Sequence, residues 1–400
     1  MTNEVKNIPK LRFPQFVGEW EKTTIGDLGN FYYGRSAPKW SITADATTPC
    51  IRYGELYTKY NGIIKNIYSY TNIDETNLRF SKGGEVLVPR VGEDPMDFAK
   101  CAYLPFSGIA IGEMISVYNT GQNSLFITFY FNSQMKYEFA KRVEGASVSN
   151  LYYSYLKNIN MRIPSIEEQE KIGDFFSKLD RQIELEEQKL EKLEEQKKGY
   201  MQQIFSQKLR FKDQNGAMYP DWKEFKIENL LKERNERSGE GQMLSVTIND
   251  GIVKFNELDR KDNSSKDKSN YKIVRKNDIA YNSMRMWQGA SGKSDYDGIV
   301  SPAYTVIYPF ENVSSTFIAY LFKTYKMIHT FRINSQGLTS DTWNLKYKQL
   351  KNITIKLPMS EEQEKIGTFF KKIDELIEKQ SNKIEVLKEN KKSFLQKMFV

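Results

Sequence analysis

PSIEEQEKIGDFFSKLDRQIELEEQKLEKLEEQKKGYMQQIF, Pro164 to Phe205, returns at Pro358 to Phe399 as PMSEEQEKIGTFFKKIDELIEKQSNKIEVLKENKKSFLQKMF, with a constant offset of 194 residues and no gap. Glu167 to Gly173 is repeated residue for residue as Glu361 to Gly367, Phe175 and Phe176 as Phe369 and Phe370, and Asp180 as Asp374. A repeat of this length is to be read before any other signal. Each copy opens with proline, serine and acidic residues, which suit the positive end of a helix dipole. Its apolar residues then alternate at four and three. In the first copy the seam is Ile172, Phe176, Leu179, Ile183, Glu186, Leu190, Leu193, Lys197, Tyr200, Ile204, and in the second Ile366, Phe370, Ile373, Ile377, Gln380, Ile384, Leu387, Lys391, Phe394, Met398. The polar interruptions fall at the same places. A sustained 3.5-residue period predicts a coiled-coil seam, on helices of roughly 60 Å at about 1.5 Å per residue. A lone helix would leave that stripe in water, so the two copies are expected to pack on each other within the chain. A generic dimerising coiled coil is the plainer alternative. The duplication favours a pseudo-symmetric object made from one polypeptide.

Working outward, the duplication extends to what precedes each helix. Lys10-Leu11-Arg12-Phe13 matches Lys208-Leu209-Arg210-Phe211, and Trp20, Ile25 and Leu28 match Trp222, Ile227 and Leu230 after a four-residue insertion. Between opening and helix the halves share an outline but not a sequence. Each has a short apolar strand, Glu85 to Val88 or Asp278 to Tyr281, followed by an arginine, Arg90 or Arg285. Each then has a Gly-Ile apolar stretch, Gly108 to Val117 or Gly298 to Ile307. An amphipathic helix opened by Asn123-Ser124 or Ser314-Ser315 follows. Leu-Lys-Asn-Ile, at Leu156 to Ile159 and Leu350 to Ile353, leads into the helix-opening proline. The expected fold class is α+β: two similar α+β domains, 1–162 and 208–356, separated by two long antiparallel coiled-coil helices, 163–207 and 357–400, with pseudo-two-fold symmetry. If the helices pack antiparallel, the domains are expected at opposite ends of them.

Composition bounds the function. The 400 residues are 39% hydrophobic and 13% aromatic, enough for ordinary cores. No apolar run reaches the length of a membrane span, and MTNEVKNIPK lacks the apolar core of a signal peptide. Cys50 and Cys101 are the only cysteines, too few for a disulfide framework or a four-ligand metal site, and a cytoplasmic protein is expected. The net charge is +8; the two helical segments together carry −3 of it, which leaves +11 on the intervening domains. That distribution suits binding of a polyanion, although basic surfaces are also common without one.

No catalytic constellation is expected. The single histidine, His329, sits in an apolar helical stretch. GASGKS, Gly289 to Ser294, has Trp287 where a phosphate loop needs glycine. No Gly-x-Gly-x-x-Gly follows a strand, no Asn/Asp-Pro-Pro-Tyr/Phe tetrapeptide of the amino-methyltransferases occurs, and no spaced His/Cys set offers a metal site. Glu167, Glu168 and Glu170 are read as the acidic first turn of a helix rather than as catalytic carboxylates.

The repeated E-E-Q-E-K-I-G-x-F-F-x-K-[LI]-D motif, the KLRF…W openings and the two divergent domains together resemble the specificity (S) subunit of type I restriction-modification systems, over essentially all of residues 10–400. The repeated motif is specific; the globular halves match only in outline. The resemblance implies that each globular domain recognises one half of a split, asymmetric DNA sequence. It also implies that the helices set the spacing and recruit two modification subunits, which hold S-adenosylmethionine and methylate adenine, with restriction subunits adding ATP-dependent cleavage. It further implies a chain with no catalytic site, no cofactor and no metal of its own. A coiled-coil scaffold without DNA reading, and a self-contained DNA methyltransferase, are the competing readings.

The family supplies no motif for the bases contacted, so the DNA-binding residues are chosen as arginines, lysines and tyrosines in the divergent stretches. They are Tyr33, Arg35, Lys39, Arg52, Tyr53, Arg90 and Lys100 in the first domain, and Arg234, Arg237, Arg260, Lys261, Arg285 and Lys293 in the second. Arginine can bond guanine bidentately, and lysine mostly meets phosphate.

Overall fold

A computed structural model of the chain describes residues 7–259, 261, 267–340 and 342–400. The chain divides into two compact units, residues 1–188 with 382–400, and residues 189–381. Each unit contains a globular part and one half of each long helix. The helices run Ile166–Phe205 and Ser360–Lys397.

In the first unit the opening strand Glu21–Thr24 pairs antiparallel with Asn160–Ile163, just before the long helix. The central sheet is antiparallel, in the order Gly29–Tyr33, Ile115–Thr120, Glu85–Pro89, Ala102–Leu104. The second unit repeats this frame. Lys223–Lys226 pairs with Thr354–Leu357, and its central sheet has the order Leu231–Glu233, Tyr304–Pro309, Ile279–Asn282, Ser291–Lys293. The units part company beyond the frame. The first adds a mixed four-stranded sheet that includes the parallel pair of Thr48–Ile51 with Ser107–Ile111; the second has two separate two-stranded pieces in its place.

The amphipathic helix expected in each domain is broken in two. Ser124–Gln134 is followed by Lys136–Ala140, and Ser315–Phe322 by Tyr325–Asn334. In the second unit Thr324 restarts the helix by accepting from the Met327 amide, which turns one long pattern into two short helices. GASGKS forms no phosphate loop: Ser291–Lys293 is a strand in register with Ile279–Tyr281.

The repeated motif is explained by what each residue touches. In the first unit Glu168 is buried and takes two bonds from Arg12, Nε and Nη2 each donating at 2.7 Å. Gln169 donates to the Pro164 carbonyl and accepts from the Asn123 amide, tying the long helix to the start of Ser124–Gln134. Gly173 lets that helix approach closely, since a Cβ there would lie 2.8 Å from Asn123 Oδ1. Phe176 stacks on Phe399 at 5.8 Å, and Phe175 meets both Phe13 and Phe394 edge-on. The second unit repeats these contacts, except the glycine's, with the helices exchanged: Arg210 with Glu362, Gln363 with Pro358 and Ser314, Phe370 stacked on Phe205 at 5.9 Å, and Phe369 against Phe211 and Tyr200; Gly367 instead faces Thr316.

Within each unit the two helical halves run antiparallel. Lys391 reaches Asp180 at 2.5 Å and Lys383 bonds Glu186 in the first; Lys197 reaches Asp374 at 2.6 Å in the second. Of the packing positions named from the sequence, Ile172, Phe176, Ile183, Ile366, Phe370 and Ile384 are buried. Leu179, Leu190, Leu193, Ile373, Ile377 and Leu387 are half-buried. Three of the four polar interruptions of the seam, Glu186, Lys197 and Lys391, thus carry ion pairs between the helices.

Candidate nucleic-acid interface

In the first unit three chain segments meet at the turn Gly112–Met114. The Gly112 amide donates to Ile51 O, the Glu113 amide to Ser36 O, and Met114 O accepts from the Arg90 amide. Gly34 makes the approach possible, because a Cβ there would sit 2.2 Å from Gly112 O. Ser36 and Ala37 follow at φ 62° and 58°, a left-handed pair that L side chains adopt only under outside constraint. This turn brings together Tyr33, Arg35, Arg52, Tyr53 and Arg90, five of the seven residues chosen from the sequence.

Arg90 is the best-held of them. Its guanidinium lies 4.4 Å from the Tyr33 ring centre and 5.4 Å from that of Tyr152, and its Nη1 reaches Glu113 O at 3.5 Å. Its Nε is buried without an acceptor. Tyr33 in turn packs on Tyr153 at 4.4 Å. Burial raises the Tyr33 phenol pKa, with Arg90 opposing that rise. Arg79 stands over Tyr32 at 5.5 Å and donates to Tyr33 O at 2.8 Å. Arg35 is exposed beside this group, and Tyr53 begins the short helix Tyr53–Thr58. Lys39 and Lys100 lie elsewhere in the unit. Lys39 is exposed next to Trp40, itself 73% exposed. Lys100 is held by Asp97 at 2.9 Å and lies 5.8 Å from the Tyr57 ring centre.

In the second unit the chosen cations are dispersed. Arg234 is turned inward: Nε and Nη2 donate to the buried Asp278 at 2.6 and 2.9 Å, and Nη1 to Glu236 at 2.7 Å. The hydrogen bond to Asp278 raises its pKa, with burial opposing. Asp278 occupies the position of Glu85 in the first unit, where Tyr32 donates to the buried carboxylate at 2.6 Å. Arg237 donates to Asn270 Oδ1 at 3.1 Å, and Lys293 is paired with Asp295. Arg285 and Lys261 are exposed. Arg260 lies outside the described residues.

The residue choice missed the aromatic partners. Tyr152 under Arg90, with Tyr153 packed on Tyr33, Arg79 over Tyr32, and the group Arg332, Trp343 and Trp287 in the second unit all combine a guanidinium with rings. Tyr152-Tyr153 and Trp343 are visible in the sequence at or shortly before the starts of the short helices Tyr153–Leu156 and Tyr347–Leu350, and that shared place was the available signal. Arginine on aromatic faces, beside exposed tyrosine and lysine, is chemistry suited to nucleic acid: the cation meets phosphate or base edge while the ring holds the guanidinium plane.

The family profile described as "Type I restriction modification DNA specificity domain" matches the chain twice, at residues 18–195 and 219–389. The "Type I restriction enzyme MjaVIII specificity subunit" of Methanocaldococcus jannaschii is 23% identical over 242 residues, 56% of this chain. The chain spans about half the length of that curated relative, 52%. Among solved structures, the type I restriction-modification system S subunit from M. genitalium superposes with a TM-score of 0.62 at 16% identity, covering 98% of this chain and 99% of that one. A chain from a structure concerned with complex assembly and conformational transition of the type I R-M system gives 0.54 at 15% identity, covering 95% and 97%. These superpositions show a shared fold.

Proposed function

The chain belongs to the type I restriction-modification DNA specificity domain family, whose domain it carries twice, and from that premise we propose that it is the subunit that selects the DNA sequence on which such a complex acts. Each globular part, 1–162 and 208–356, binds one half of a bipartite, asymmetric site in double-stranded DNA. The long helices hold the half-sites at a set separation and recruit two modification subunits. Those partners carry S-adenosylmethionine, and one of them takes the target adenine out of the stack to methylate it. Restriction subunits bring ATP and Mg²⁺. The chain acts in the cytoplasm and contributes choice and assembly, without a cofactor, metal or catalytic group of its own. No helix among the described residues is long and apolar enough to cross a membrane.

One observation carries this reading. The buried arginine–glutamate pair and the stacked phenylalanines of the frame around the two helices occur in both units, while the corners that bear the arginines and aromatics differ between them. A retained frame with two unlike basic corners is what two different sequences read by one chain require. Half-site spacing then follows from protein geometry, as in dimeric DNA-binding proteins.

Sequencing adenine methylation in cells that contain the modification subunits, with and without this chain, tests the reading. A two-part motif that appears only with the chain supports it. Methylation that is independent of the chain contradicts it. The assembled complex should also bind its site with an affinity that falls steeply with salt, by a log–log slope of about −0.9 per phosphate neutralised, whereas a coiled-coil adaptor would bind no DNA.

A further inference from the structure

We propose that Arg332 is the side chain by which the second unit selects a guanine in its half-site, an inference that rests on the DNA-reading function proposed above. Arg332 lies on the helix Tyr325–Asn334, next to Phe331, which is buried in the core, so Arg332 itself faces outward and is exposed. Its guanidinium carbon stands 5.3 Å from the Trp343 ring centre. Trp343 is braced edge-on by Trp287, with ring centres 5.2 Å apart and planes at 77°. Trp287 Nε1 donates to Met284 O at 3.0 Å, which spends the indole donor inside the protein. Among the described residues no carboxylate or carbonyl engages the Arg332 guanidinium.

Four other cations of the second unit lack that freedom, while Arg285, exposed beside Met286–Gln288, has no ring beneath it among the described residues. Arg234 is spent on Asp278 and Glu236, Arg275 on Glu236, Arg237 on Asn270 and Lys293 on Asp295. Arg332 is thus a planar five-donor fork with one face laid on a braced indole and its edge available to an outside acceptor. The N7 and O6 acceptors of guanine in the major groove match that fork, and little side-chain entropy remains to be lost when the contact forms.

The first unit repeats the device from a different chain position. The amide of Leu151 donates to Arg90 O at 2.8 Å, and the amide of Leu345, its counterpart 194 residues on, donates to Ser283 O at 2.8 Å. The strand end that bears Arg90 in one unit therefore bears Ser283 in the other. In the second unit the arginine arrives from Tyr325–Asn334 instead and rests on Trp343, two residues before Leu345, whereas Arg90 rests on Tyr152, one residue after Leu151. Two unlike sequences each place a ring-supported arginine at this corner.

The test is to sequence adenine methylation directed by Arg332→Ala and Arg332→Lys chains, each assembled with the modification subunits. Arg332→Ala should relax one guanine of one half-site, lowering the preference for it over the other bases by roughly 5- to 150-fold, while the other half-site and the spacing stay as in the parent. Arg332→Lys should relax the same position, because a point charge lacks the fork. An unchanged motif overturns the proposal. So does methylation that weakens equally at all sites without a change of motif, which marks a phosphate contact. If Arg332→Ala abolishes methylation, Arg332→Lys decides alone: relaxation at one base supports the proposal, and an unchanged motif overturns it. Absence of any two-part motif with the parent chain is a different result, which refutes the DNA-reading function itself.

Discussion

Lys391 of the second long helix lies 2.5 Å from Asp180 of the first, and both side chains are largely enclosed. The duplicate pair, Lys197 with Asp374 at 2.6 Å, is more open, with side chains about a third exposed. The same sequence feature therefore has two energetic settings in one chain, and they should respond differently to substitution and pH.

Burial raises the Asp180 carboxyl above its ordinary range, against the pull of Lys391. A carboxyl whose folded pKa is raised favours the folded state when protonated. Its contribution falls as pH rises from the ordinary aspartate value towards the folded one. Lys391→Met removes the opposing pull. It should cost about 1–3 kcal/mol near neutral pH, less as pH is lowered through the aspartate range, and almost nothing once Asp180 is protonated. Asp180→Asn added to it should remove that pH dependence. Lys197→Met should cost under about 1 kcal/mol, as expected of an exposed pair. Urea unfolding at several pH values measures all three, and a pH-independent loss for Lys391→Met would contradict this account of the pair.

Arg12 and Glu168 form a bidentate, largely buried pair, and Arg210 and Glu362 repeat it. Arg12→Lys and Arg210→Lys keep the charge and lose the fork, leaving a buried carboxylate with one bond where it had two. Each should lower stability by about 2–4 kcal/mol. Asp221, fully exposed at 3.5 Å from Arg210, should be replaceable by Asn with an unchanged melting midpoint. Thermal melts check both statements.

Gly173→Ala should be the more harmful of two matched substitutions. The new Cβ would press on Asn123 Oδ1 at 2.8 Å, and that oxygen caps the next helix by accepting from the Phe126 amide. Loss of the cap and overpacking together should cost about 1–3 kcal/mol. At Gly367 the nearest atom is Thr316 Cγ2 at 3.1 Å and no cap is disturbed, so Gly367→Ala should cost less than half as much. Equal effects in denaturant titrations would show that the close approach is not what the glycine serves.

Arg234→Ala should behave as a stability variant. It leaves the buried Asp278 without its two charged bonds, at a cost of about 2–4 kcal/mol, while complexes that do assemble methylate the parent motif. A changed motif would return Arg234 to the DNA-contacting residues.

The scaffold was legible because it is written twice. Two copies of one heptad pattern, with polar breaks at matching positions, implied helices that pack on each other, and Lys391–Asp180 and Lys197–Asp374 occupy those breaks. Glu168 was read only as an acidic first turn. Its partner Arg12 lies 156 residues away, yet the paired duplication of KLRF with EEQE held that link in view. The corners proposed to meet DNA were less legible, for a physical reason. Whether an arginine is free depends on carboxylates that the fold brings beside it. Arg234 is consumed by Asp278, 44 residues on, and no local pattern distinguishes it from Arg332, whose support is Trp343. The single amphipathic helix expected in each domain became two: in the second, Thr324 caps a new start inside a continuous apolar pattern, and in the first the break falls at Met135 without a side-chain cap.

The central claim is that one chain carries two separate readers, each responsible for half of one site. Replacing residues 10–160 with the corresponding domain of another family member, and sequencing adenine methylation in cells that contain the chimera and the modification subunits, tests it most directly. The account predicts a motif in which one half changes while the other half and the spacing are retained. A motif altered in both halves would contradict it.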